Sequence, residues 1–200
     1  MNGFRNGQTG ESEVRPRYVC CHPNMKGTGT SVKFELHPAH DYVEGSVFVT
    51  FASQKTLGSY GEGKVVPPTF DWENSVTIRL TINEVAEMLE VFRGYRESLG
   101  DEKEKGLFHT TVECSTVITF EHRLEPTPGY LFGVSRKYAD GTLKRMRILI
   151  SMNESIVLSE ALGSAMLYMA FGIPKVIQRG DRRPAQDRRK SEPVKEVAVA

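Results

Sequence analysis

The residues with the clearest chemical potential in this 200-residue chain are cations interleaved with aromatic rings. Around Asp140-Gly141 the chain carries Arg136, Lys137, Lys144, Arg145 and Arg147, and Tyr130, Phe132 and Tyr138 fall among them. Cations track phosphates and rings stack on bases, so this grouping suits an unpaired nucleic-acid strand. The same residues also suit a plain solvated sheet face. A second segment, Lys26-Gly27-Thr28-Gly29-Thr30, is flexible, hydroxyl-rich and basic. Its backbone N–H groups and the Lys26 ammonium are expected to be able to hold a phosphate.

Other chemistries find little support. The sequence has no Gly-rich phosphate loop ending in Lys-Ser/Thr, no dinucleotide fingerprint and no nucleophile-elbow motif. The nearest metal pattern is Cys20-Cys21-His22 with His37 and His40, but adjacent cysteines bind one zinc poorly and the spacing matches no standard site. His109 and His122 fall in strand-like stretches and read as surface or packed residues. Asp71 and Glu73 flank Trp72 and could exchange protons, yet no partner base accompanies them. The expectation is therefore no enzyme, no cofactor and no metal. Three cysteines do not make a disulfide framework, which points to reduced thiols in a cytosol-like compartment. The expected location is cytoplasmic or nucleoid-associated, with an organelle left open. A net charge of +1 means that any basic site must be local. The apolar stretch from Ser155 to Phe171 contains Glu160 and is shorter than the roughly 20 residues of a membrane span, so no membrane is expected.

The elements that must position these residues come in two rounds. Residues 1–17 are polar and Gly-rich and are expected to be disordered, with no secretion signal among them. Residues 178–200 form a basic tail with seven basic against four acidic residues, net +3. The domain should therefore span 18–177. Within it, Ser31–Leu36, Ser46–Phe51 and Ser75–Thr81 read as strands, and the Gly- and Pro-rich residues 58–69 as a loop. A helix follows, carrying Ile82, Val85, Ala86, Leu89 and Phe92 and opening on a Thr81/Glu84 capping box. The second round reads as strands over Leu107–Glu113, Ser115–Leu124, Gly129–Tyr138 and Thr142–Ile150, with a tight turn at Asp140-Gly141. A second helix then opens on Ser151/Glu154. The junctions Ile78–Glu84 (IRLTINE) and Ile148–Glu154 (ILISMNE) align without a gap 70 residues apart, which predicts an α+β pseudo-repeat.

With these elements in place the chain resembles the Whirly family of single-stranded DNA-binding proteins. The resemblance lies in the lead-in KGTGTSVKFEL (Lys26–Leu36), the strand GSVFVTFAS (Gly45–Ser53) and, above all, FDWENSVTIRLTINEVAEML (Phe70–Leu89). It covers about residues 26–173. The resemblance implies two four-stranded antiparallel sheets packed like blades, each followed by a helix, and tetramers formed through those helices. It implies low-specificity binding of single-stranded DNA along the sheets, in repair, recombination, replication or transcription. Trypanosome mitochondrial RNA-annealing proteins share that fold, so RNA binding stays open, as does a structural oligomer with no nucleic-acid role. On this reading Lys26, Lys33 and Lys55 contact phosphates together with Arg136, Lys137, Lys144, Arg145 and Arg147. Phe48, Phe51, Phe70 and Tyr138 stack on bases, Trp72 is either core or platform, and the hydroxyls of Thr30 and Thr50 lie in the same surface.

Overall fold

A computed structural model describes residues 15–61, 63–101 and 105–173. The expected tails, 1–14 of the first and all of 178–200, lie outside those residues. The first strand, β1, is Arg17–His22, followed by β2 (Thr30–His37) and β3 (Ser46–Ser53). A small exposed hairpin, β4 (Ser59–Gly61) and β5 (Lys64–Val66), interrupts the run before β6 (Val76–Leu80). Helix α1 (Ile82–Phe92) closes the first round. The second comprises β7 (Leu107–Thr110), β8 (Cys114–Arg123), β9 (Gly129–Tyr138), β10 (Leu143–Ser151) and helix α2 (Met152–Phe171). The fold is α+β, with antiparallel sheets ordered β1-β2-β3-β6 and β10-β9-β8-β7.

Alternation dictates which face each sheet buries. In β6 the residues Val76, Ile78 and Leu80 are buried while Thr77 and Arg79 are exposed. Val47, Val49 and Phe51 of β3 point the same way, and so do Val32 and Phe34 of β2. From the other sheet come Ile118, Phe120, Phe132, Val134, Ile148 and Ile150. The sheets meet on Phe132, whose ring centroid lies 5.7 Å from that of Phe34 and 4.8 Å from that of Phe51. Burial of such a side chain contributes about 1.5–3 kcal/mol.

Both helices begin as their sequences require. Thr81 and Ser151 accept from the N–H groups of Glu84 and Glu154, and those glutamates return bonds to the cap N–H groups. Each helix then packs on both sheets, α1 against β3, β6 and β8 and α2 against β2, β9 and β10. Phe92 of α1 meets Phe120 and Tyr130 with centroids 4.8 Å apart in both cases, and Tyr130 donates to the Phe92 carbonyl. The far end of α2 docks on the β2–β3 connection, where Ala39 N–H donates to Tyr168 O and Gly45 N–H to Met169 O. A Cβ on Gly45 would sit 2.4 Å from the Met169 Cα, so the approach requires glycine. Gly172 ends the helix at φ 72°, a left-handed conformation that favours glycine.

The structure adds elements that the sequence reading leaves out. Arg17, placed in the expected tail, begins β1, and the expected loop at 58–69 contains the β4–β5 hairpin. The strand expected over Leu107–Glu113 stops at Thr110.

Candidate nucleic-acid interface

The outward faces of the two sheets hold most of the polar chemistry. On the first sheet, strand pairing sets residues in rows. One row runs Arg17, Glu35, Phe48, Arg79 across β1, β2, β3 and β6. The next runs Val19, Lys33, Thr50, Thr77. His37 lies beyond Glu35 on β2, its ring 4.2 Å from that of Phe48, and Arg15 donates to its Nδ1. Trp72, in the turn before β6, is 39% exposed, and the Lys33 ammonium lies 6.0 Å from its ring centroid. Two rings are thus set among Arg15, Arg17, Lys33 and Arg79, with Glu35 as the carboxylate at the centre.

Glu35 is held by its neighbours. Its Oε1 lies 3.0 Å from His37 Nε2 and its Oε2 lies 3.4 Å from Lys33 Nζ. Burial would raise its pKa, but the contacts with His37 and Lys33 outweigh this and keep it below the usual carboxylate range.

The second sheet's outward face is less aromatic and also basic. Its rows run Phe108, Val117, Ser135, Arg145 and then Thr119, Gly133, Arg147, with Lys137 beside Leu143. Phe108 is 54% exposed. The basic hairpin therefore does not form a single face. Lys137, Arg145 and Arg147 point outward, whereas Arg136 and Lys144 point toward the first sheet. Arg136 donates to Thr116 Oγ1 (2.9 Å) and Thr77 O (2.8 Å), and Lys144 donates to Asn74 O (3.3 Å). Tyr138 lies beneath Lys144, 5.9 Å from ring centroid to ammonium. Arg136 and Lys144 close the seam between the sheets.

Several expectations need correction. Phe51 is fully buried against Phe132 and cannot stack on a base. Tyr130 and Phe132 are buried as well. Thr30 shares the inward face with Val32 and is buried. Thr50 faces outward but is buried and shares a hydrogen bond with Thr77 (3.1 Å). In the lead-in loop the N–H groups of Lys26, Gly27, Thr28 and Gly29 are already bonded within the protein. Asn24 Oδ1 accepts from Lys26 and Thr28, Asn24 O accepts from Gly27, and Gln54 Oε1 accepts from Gly29. The Lys26 side chain itself is exposed, as is Lys55, while Phe70 is half-buried beside Gln54.

The alternative chemistries stay weak. Asp71 is tied to Asn74 through N–H (3.2 Å) and Nδ2 (2.8 Å), bonds that lower its pKa and suit a turn rather than a base. Burial, helped by the Glu154 charge, pushes the Cys20 thiol up to about 12. Among the described residues no group of three His, Cys, Asp or Glu could hold a metal ion, and no helix is long and apolar enough to cross a membrane.

Arg15, Arg17, Arg79 and Phe108 were missed by the sequence reading. Arg79 was within reach, since it alternates with Ile78 and Leu80 in a strand that was expected. Arg17 required β1, and Phe108 required the knowledge that β7 is an edge strand.

Two antiparallel four-stranded sheets with a helix after each and the helices packed between the rounds define a Whirly-like fold. Solved structures agree. The plant transcriptional regulator PBF-2 matches with TM-score 0.58 and 18% identity, over 78% of this chain and 83% of that one. WHY1 from Arabidopsis thaliana matches with TM-score 0.55 and 19% identity, over 79% and 89%. WHY3 from the same plant matches with TM-score 0.51 and 21% identity, over 77% and 90%. No protein-family model and no curated protein matches this chain.

Proposed function

We propose that this chain is a non-enzymatic protein that binds single-stranded DNA with low sequence specificity, in repair, recombination, replication or transcription. The observation that carries the reading is the outward face of the first sheet. There Phe48 and the half-exposed Trp72 lie among Arg17, Lys33 and Arg79. Rings of this kind contribute about 1–3 kcal/mol per stacked base, and the cations add a phosphate term that weakens with salt. Lys137, Arg145 and Arg147 extend the positive surface on the second sheet.

The protein works as an oligomer, with a homotetramer assembled through α2 as the expected form. Ile156, Val157, Leu167 and Phe171 of that helix are exposed. Beside it lies an apolar groove of about 560 Å³ lined by Tyr18, Phe34, Leu36, Leu158 and Leu162.

The test is a titration of a 30-mer single strand, a duplex and a matched RNA at two salt concentrations. Single-stranded DNA should bind more tightly than duplex and lose affinity as salt rises. A Phe48→Ala/Trp72→Ala double variant should bind about 10- to 100-fold more weakly. No binding, or binding without a salt slope, overturns the reading.

A further inference from the structure

Glu35 is out of place on a surface built only for phosphates. It occupies the middle of the cationic face, with Arg17 across from it on β1, Phe48 across from it on β3, and Lys33 and His37 on its own strand. A negative charge there repels a phosphate backbone, so a purely electrostatic site gains nothing from it. Next to a stacking ring, however, a carboxylate has a use. Adjacent strands lie about 4.8 Å apart, which lets a base stacked on Phe48 present its edge to the neighbouring Glu35.

We propose that Glu35, beside Phe48, reads the Watson–Crick edge of guanine and gives the first sheet a preference for that base. This rests on the nucleic-acid reading above. An ionised carboxylate only accepts hydrogen bonds, through two oxygens with about four lone-pair positions. His37 and Lys33 occupy one position on each oxygen, which leaves one on each for a ligand. Guanine alone sets two donors side by side, N1–H and the N2 amine. Cytosine sets the N3 acceptor beside its amine. Adenine's amine is flanked by N1 and N7, and the thymine or uracil imide by two carbonyls. In each of those cases an acceptor faces the carboxylate and repels it. The flanking cations then hold the phosphates on either side of the base. Glu35 is kept below the usual carboxylate range by His37 and Lys33 despite its burial, so it remains an acceptor at neutral pH.

The experiment uses the full chain and a dT 30-mer carrying isolated guanines, spaced so that no four-stranded structure forms. A second oligomer carries inosine, which lacks the N2 amine, at the same positions, and a third is dT alone. The guanine oligomer should bind about tenfold more tightly than the inosine one, within the 1–3 kcal/mol of a bidentate base contact. Glu35→Gln should abolish that difference while still binding plain dT. The wild-type comparison of guanine with inosine needs no variant to fold. Equal affinities for the guanine and inosine oligomers overturn the inference and leave the function intact. So does a Glu35→Gln variant that tightens on every oligomer equally and keeps its preference, because Glu35 then only sets charge. Failure to bind any oligomer overturns the nucleic-acid reading, and this inference with it.

Discussion

Glu84 and Glu154 each serve as more than a helix cap. Besides closing its capping box, Glu84 accepts from His109 Nε2 and Glu154 accepts from His22 Nε2 at 2.8 Å. Burial alone would raise both carboxyls. For Glu84 the bonds from His109 and Thr81 outweigh it, and for Glu154 those from Ser151 and His22, so both lie below the ordinary glutamate value. A folded-state value below the unfolded one stabilises the protein fully above the ordinary glutamate range, and that contribution is lost as pH falls through the lower folded values. Glu84→Gln/Glu154→Gln should therefore flatten the decline of the urea midpoint as pH falls through the ordinary glutamate range and below it, since Gln can still close the cap without a charge. At neutral pH each substitution should cost about 1–3 kcal/mol. An unchanged acid slope in the double variant would rule this out. Both capping boxes were legible in the sequence because their partners lie three positions apart. Their histidines were not, because they lie 25 and 132 residues away from the glutamates they bond, and no local pattern marks them.

Among the elements, strands with one wet face were the easiest to read. Val76, Ile78 and Leu80 alternate with Thr77 and Arg79, and the Asp140-Gly141 turn keeps its signature with Gly141 at φ 86°. β1 was hidden because apolar Val19 faces outward with Arg17, which blurs the alternation. β4 and β5 are three residues each and exposed throughout, so they bury nothing that a pattern could reveal. In the candidate site the alternation of β3 already set Phe51 with Val47 and Val49 and Phe48 with Ser46 and Thr50, which marks Phe51 as the core candidate of the two rings. The second helix carries its own prediction. Apolar on nearly every side, α2 leaves Ile156 64% and Phe171 82% exposed. Ile156→Glu/Phe171→Glu should convert an assembled wild-type protein to monomers in light scattering at micromolar concentration. A monomeric wild type would remove the oligomer from the proposal.

For the whole molecule, the governing feature is that each helix bridges the two rounds. Phe92 fills the second sheet's core beside Phe120, while α2 reaches back to Ala39 and Gly45 at the first sheet. Arg136 and Lys144 then draw the sheets together at Thr77 and Asn74. Each round thus contributes a helix that packs on the other's sheet as well as on its own. Produced separately, residues 1–100 and 101–200 should each lack a cooperative melting transition, because each sheet would lose one of the two helices that pack on it. Mixed or co-expressed, the two fragments should restore a single transition by circular dichroism, and independent melting of either one would contradict the bridging. Covalent continuity between the rounds is then a convenience of synthesis and not a condition of the fold. Two half-length chains sharing helices would build the same object, as in a swapped dimer whose subunits happen to be strung end to end.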